Sequence, residues 1–258
     1  LALPALTDSL FDLSLAARRV TRNIPNFEQL NLPPILAQVA MHHQGLVLLA
    51  GITGSGKSTT IAAMLEYINN HRACHIVTVE DPIEYMYTDK KCLINQREIG
   101  IDVADFPSAL KYLMREDPDV ILIGEMRDQE TFQAALQAAE TGHLVFGTVH
   151  ASTSGQTISR ILDLFDVTSR DMARQTLAHN LQAIVCQKLL TSINPQVGVV
   201  PANEIMLSNP TVRNFIEEGR DSQLGEVIAA SVNEGMKDFN MSLMELIEAE
   251  MIDPRLAY

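Results

Sequence analysis

Apolar residues fall along the chain in two rhythms. Short unbroken runs at Gly45–Ala50, His75–Glu80, Val120–Gly124 and Leu144–His150 have the length and β-branched character of strands buried on both faces. Between and after them, apolar residues recur every three or four positions, the period of one helix face. These sets are Ile61, Met64, Leu65 and Ile68; Ala109, Leu110, Leu113 and Met114; Ile158, Ile161, Leu162 and Phe165; and Leu177, Leu181, Ile184 and Val185. Alternation of strand and helix over residues 35–190 predicts an α/β domain on a mainly parallel sheet. Residues 1–34, broken by Pro25, Pro33 and Pro34, read as a linker segment. Around Asn194-Pro195-Gln196 a turn joins two β-prone runs in a hairpin. Three short amphipathic helices are expected from Thr211 onward, so that residues 191–258 form a hairpin and helical C-terminal subdomain.

The segment between the first strand and the first helix carries the clearest chemistry. Gly51-Ile-Thr-Gly-Ser-Gly56-Lys57-Ser58 matches the phosphate-loop pattern G-x-x-x-x-G-K-S/T, with a strand before it and a helix after it. Glycines let the backbone curl so that the amides of Gly51, Thr53, Gly54, Ser55, Gly56, Lys57, Ser58 and Thr59 can cradle phosphate oxygens. The positive end of the helix dipole adds to this. Lys57 is placed to contact the β and γ phosphates of ATP, and the Ser58 hydroxyl to join a Mg²⁺ shell.

Two further strands end in acids. Val120-Ile-Leu-Ile-Gly-Glu125 delivers Glu125, a candidate to polarise the attacking water, and the other strand ends at Glu80-Asp81, with Glu80 a candidate Mg²⁺ or water-positioning acid. One such acid alone is more often a solvated strand end; two, in a chain with a phosphate loop, favour a site at the carboxyl edge of the sheet. His150 ends the fourth strand and is a candidate phosphate sensor, while His143 precedes it. A lone histidine is more often a satisfied polar residue.

Composition narrows the partners. Lys plus Arg number 19 against 32 Asp plus Glu, a formal charge of −13, which disfavours nucleic acid as ligand. Cys74, Cys92 and Cys186 are odd in number and far apart in sequence, which suggests a reducing compartment and not a disulfide framework. No run approaches the roughly 20 apolar residues of a membrane-spanning helix. The sequence begins at Leu1, as expected of a piece of a longer protein.

Taken in order, these motifs resemble the secretion ATPases of type II and type IV systems. Residues 51–60 look like the family's phosphate loop and Val77-Thr-Val-Glu80-Asp81-Pro82-Ile83-Glu84 like its aspartate box. Residues 113–128, ending Gly124-Glu125-Met126-Arg127-Asp128, look like its second nucleotide motif, and Ala139–Ala151 like its histidine box. Asn95-Gln96-Arg97-Glu98, Thr211-Val-Arg213-Asn214-Phe-Ile216 and the segment from Gly235-Met236 to Leu243 resemble the branch that retracts type IV pili. Lys111, where relatives often have Arg, and Asp166, where they usually have Pro, depart from the pattern.

The resemblance implies a RecA-like P-loop ATPase core with the remnant of an N-terminal PAS-like domain. It implies Glu125 as catalytic glutamate, Glu80 as the aspartate-box acid, His143 and His150 as the histidine-box pair, and Arg127 at the nucleotide. It further implies ATP and Mg²⁺, a homohexameric ring, and docking on an inner-membrane pilus platform protein from the cytoplasmic face. A paralogous retraction ATPase is a further candidate partner. Arg18, Arg22, Arg115 and Arg127 are candidates for an arginine acting on a neighbouring subunit's nucleotide, and each is equally a candidate salt-bridge partner. Two rivals stay open: a ring that translocates nucleic acid, and a catalytically weak accessory ring working through a paralogue.

Overall fold

The computed structural model describes residues 20–257. Residues 1–19, with Arg18 and most of the expected domain remnant, lie outside the described residues.

Seven strands form one sheet: β1 (Gly45–Ala50), β2 (His75–Glu80), β3 (Leu93–Glu98), β4 (Val120–Ile123), β5 (Leu144–Val149), β6 (Leu181–Thr191) and β7 (Val199–Leu207). Their spatial order is β3-β2-β4-β5-β1-β6-β7. The first six are mutually parallel, and β7 returns antiparallel to β6. Every residue of β1, β4 and β5 is buried, which is why these strands read as continuous apolar runs. Alternate side chains serve opposite faces. On β1, Leu46 and Leu48 join one core cluster and Val47 and Leu49 the other.

Helices α1 (Ile35–Ala40) and α2 (Lys57–His71) cover one face, with Ile61, Met64, Leu65 and Ile68 of α2 buried on the sheet. The other face is covered by α3 (Phe106–Leu113), α4 (Gln129–Glu140), α5 (Ser154–Asp163) and α6 (Val167–Asn180), joined by α7 (Pro210–Glu217) and α8 (Leu224–Ala230). A last helix, α9 (Phe239–Glu248), packs on β7. Side-chain caps fix several starts: the Asp105 carboxylate accepts from Ser108 N, Asp128 from Thr131 N and Asn209 from Val212 N.

Three elements differ from the sequence-based expectation. The residues Leu177, Leu181, Ile184 and Val185 do not share a helix: α6 ends at Asn180, and the last three belong to β6. Their spacing fits a helix face by coincidence, and pairing between β1 and β7 decides the matter. The 194–196 turn does join a hairpin, and both its arms, β6 and β7, belong to the large sheet, which therefore continues past residue 190. β3, polar along much of its length, was not anticipated as a strand; it pairs with β2 as the sheet's far edge. That pairing brings the Cys74 and Cys92 thiols within 3.3 Å of each other, both free. Burial, with Cys92 alongside, pushes the Cys74 thiol up to about 12.

Candidate active site

Six parallel strands place six carboxyl ends along one edge of the sheet. The Gly51–Ser58 loop leaves the end of β1, Glu80 ends β2, Gly124-Glu125 follows β4 and His150 follows β5. They meet in a cleft of about 590 Å³ lined by Thr53–Thr59, Glu80, Asp81, Glu84, Gly124, Glu125, Arg127, Thr148, His150 and Leu189. Sequence separation within this group exceeds 90 residues, so only the parallel topology brings it together.

The loop curls through left-handed glycines, Gly54 at φ +78° and Gly56 at φ +85°. Helix α2 begins on Gly56 with no side-chain cap, which leaves its first amides for an anion. Lys57, itself buried, donates from Nζ to the carbonyls of Gly51 at 2.7 Å and Ile52 at 3.0 Å. Desolvation lowers its pKa, and the charges of Glu125 and Glu84 oppose that shift. Ser58 is exposed to the cleft, and the Thr59 hydroxyl meets the Tyr85 hydroxyl at 2.7 Å.

On the acidic side, Gly124 lets β2 and β4 close up: a Cβ there would lie 3.1 Å from Glu80 Cα. Gly124 N donates to Val79 O at 2.8 Å, and Thr148 Oγ1 donates to Gly124 O at 2.6 Å. The backbone that presents Glu125 is thus held by both neighbouring strands. Burial raises the Glu80 pKa, against hydrogen bonds from Thr78 Oγ1 at 2.6 Å and Gln96 Nε2 at 3.3 Å. Glu125 Oε1 is ion-paired with Arg127 Nε and lies 2.9 Å from His150 Nε2. Both partners crowd this one buried oxygen, and the carboxylate as a whole stands on the cleft wall facing the phosphate loop. Burial pushes the Glu125 carboxyl up, but Arg127 and His150 outweigh it and hold the pKa below the ordinary value.

The structure brings together all the sequence-predicted site residues except two. Gly51 lies behind the loop, buried, accepting from Lys57 and packed against Ser55. His143 is at the opposite edge of the sheet. It precedes β5 and its ring Nδ1 sits 2.9 Å from Ala138 O, whereas His150 follows the same strand. Six strand residues at about 3.3 Å each put roughly 20 Å between the two histidines. Of the candidate trans arginines, Arg22 and Arg115 are exposed and line no part of this cleft, and Arg127 is spoken for by Glu125. Sequence reasoning missed Thr148, Gln187 and Leu189 at the cleft or behind it. Thr148 lies inside a strand that the apolar run predicts, but Gln187 and Leu189 lie on β6, whose N-terminal residues have the spacing of a helix face.

Comparison with known proteins agrees with this geometry. The family model described as type II/IV secretion system protein matches residues 20–249. The type IV pilus retraction ATPase PilT of Pseudomonas aeruginosa is 44% identical over 246 residues, 94% of this chain and 71% of that protein. PilU of the same organism, a type IV pilus ATPase, is 39% identical over 91% of this chain and 61% of its own length. The crystal structure of the pilus retraction motor PilT with bound ADP superposes with a TM-score of 0.85 at 44% identity, covering 93% of this chain and 68% of that one. The chain thus spans between 61% and 71% of the length of these relatives. It belongs to the type II/IV secretion system protein family, among the relatives of the pilus retraction ATPases.

Proposed function

We propose that this chain hydrolyses ATP and, as a homohexameric ring, powers retraction of type IV pili. The observation that carries the reading is the cleft itself: Lys57 and an uncapped helix start on one wall, the ionised Glu125 carboxylate on the other. The kinship with PilT supplies the pilus.

The triphosphate lies along the Gly54–Thr59 amides. Lys57 exchanges its two carbonyl partners for phosphate oxygens. The Glu125 carboxylate, kept ionised by Arg127 and His150, accepts the proton of the attacking water. His150 orients that carboxylate from the other side.

Ser58 and Glu80 are the residues that would hold magnesium. The donor set fits: a hydroxyl and a carboxylate, hard oxygens on the same cleft as the phosphate position. Among the described residues no three His, Cys, Asp or Glu side chains form a complete metal cage. A magnesium ion that shares phosphate oxygens and water needs only one or two protein ligands. When bound, it supplies charge neutralisation on the transferring phosphoryl group.

In a ring, an arginine from a neighbouring subunit would reach the γ phosphate; exposed Arg22 and Arg115 are the described candidates. Residues 35–190, together with the β6–β7 arms that extend the same sheet to Leu207, serve as the ATPase core, and the helices beyond as the C-terminal part. The ring would work at the cytoplasmic face of the inner membrane through a platform protein, with a paralogous retraction ATPase as a further partner. Among the described residues no helix is long and apolar enough to cross a membrane. The test is twitching motility in a strain lacking the gene. Complementation with wild type restores movement and with Glu125→Gln does not; unchanged motility on deletion would refute the retraction role.

A further inference from the structure

Gln187 lies on β6, outside the motifs that mark the nucleotide site, and is buried to 2% exposure directly behind the phosphate loop. Three directed bonds hold its side chain. Nε2 donates to the carbonyl of Ser55 at 2.7 Å. Oε1 accepts from Thr60 Oγ1 at 2.8 Å and from Asn203 Nδ2 at 3.0 Å. A carbonyl can only accept, so the Ser55 contact fixes which end of the amide faces the loop.

Ser55 stands between Gly54 and Gly56, both at positive φ. A flip of the peptide that joins Ser55 to Gly56 turns ψ of Ser55 and φ of Gly56, and glycine at the second position tolerates that change. In a planar trans peptide the C=O and the following N–H point in opposite directions. Once the Ser55 carbonyl is tied backward to Gln187, the Gly56 N–H must face forward, toward the cleft. Gly56 also leaves room for this contact: a Cβ there would fall 2.7 Å from Gln187 Nε2. Thr60, one helical turn beyond Gly56, holds the same Gln187 amide from the helix side. Behind it, Asn203 lies opposite Gln187 on β7, and its N–H donates to Ser242 Oγ of α9 at 3.0 Å.

We infer that Gln187 is a positioning residue for nucleotide binding: by holding the Ser55 carbonyl it selects the peptide orientation that aims the Gly56 amide at phosphate. The inference rests on the proposed reading of the cleft as an ATP site. It assigns Gln187 to affinity and leaves proton transfer to Glu125.

The experiment uses the whole chain, a fluorescent ATP analogue for Kd, and ATP for KM and kcat. Gln187→Glu keeps the shape and the acceptor but loses the donor toward Ser55 above the variant carboxyl's pKa. A lost hydrogen bond to a buried carbonyl corresponds to about a tenfold change. Kd and KM should rise about tenfold at about pH 8.5, with kcat within about twofold of wild type. As pH falls, the buried carboxyl takes up a proton and regains a donor, so the variant's affinity relative to wild type should recover. Thr60→Val should raise KM severalfold, and Thr60→Ser, which keeps the hydroxyl, should not; this pair decides the matter if Gln187→Glu does not fold. Wild-type Kd and KM in both Gln187→Glu and Thr60→Val would overturn the inference and leave the ATP site standing, as would a fall in kcat at unchanged KM. A wild-type chain that binds no analogue would overturn both.

Discussion

Replacing Gly147 by alanine puts one methyl group into the structure behind the candidate base. Gly147 sits in the middle of β5, opposite Leu48 of β1 and Ile123 of β4. Its φ is not in the left-handed region, so alanine meets no backbone objection. The added Cβ would lie 2.1 Å from Met126 Cε and 2.9 Å from Met126 Sδ. Met126 is 3% exposed and packed in the core, and the added methyl must push its thioether end away from β5 toward the cleft of about 500 Å³ that it lines with Val149 and Ile161, at the loss of core contacts. Overpacking of this kind costs about 1–3 kcal/mol. For a chain of this size that is a fall in Tm of roughly 2–4 °C per kcal/mol. Met126 directly follows Glu125, so its displacement should also lower kcat. The assay is urea unfolding of Gly147→Ala, Met126→Ala and the double variant. Met126→Ala alone leaves a cavity worth about 2–5 kcal/mol. In the double variant the new methyl occupies part of that cavity, so the combined loss should be smaller than the sum by at least about 1 kcal/mol. A neutral Gly147→Ala, or strict additivity of the pair, would refute the packing argument.

Arg127→Met removes the larger of the two influences that keep Glu125 ionised, so burial is opposed by His150 alone and the pKa rises. Since the carboxylate form is the active one, the acidic limb of the kcat–pH profile should move to higher pH; an unmoved limb would separate Glu125 from that limb. Lys57→Met should abolish binding of a fluorescent ATP analogue without unfolding the chain, since among the described residues Nζ donates to two carbonyls of its own loop. Asp221→Ala breaks a two-point pair, Arg174 Nη1 to Oδ1 at 2.7 Å and Nη2 to Oδ2 at 2.9 Å, and strands a mostly buried guanidinium. Urea unfolding should show a loss of about 3 kcal/mol or more, because a buried charge is left unpaired; a loss under about 1 kcal/mol would mean that solvent reaches Arg174 freely.

Much of this arrangement was legible because buried parallel strands and a phosphate loop are local signals. Gly45–Ala50 matched β1 residue for residue, and the acids at 80 and 125 stood where strands had to end. What escaped was set by distant partners. Leu181, Ile184 and Val185 fit a helix face by spacing, and only β1 and β7 on either side make them a strand. β3 alternates too weakly to announce itself, because Gln96 and Arg97 make polar contacts, with Tyr85 and Glu80 and with Glu116. His143 and His150 share one motif, yet a strand's length separates them, and a linear pattern does not say which end faces the cleft. Gln187 is 131 residues beyond Gly56, and no spacing rule links a strand glutamine to a loop carbonyl.

The most direct trial of the central claim is phosphate release by Glu125→Gln beside wild type, with ATP-analogue affinity measured on both. Loss of a general base costs about 10²–10⁴-fold. The account predicts a turnover lower by that factor at nearly unchanged affinity, because the phosphate loop is intact. Equal turnover in the two proteins would contradict it.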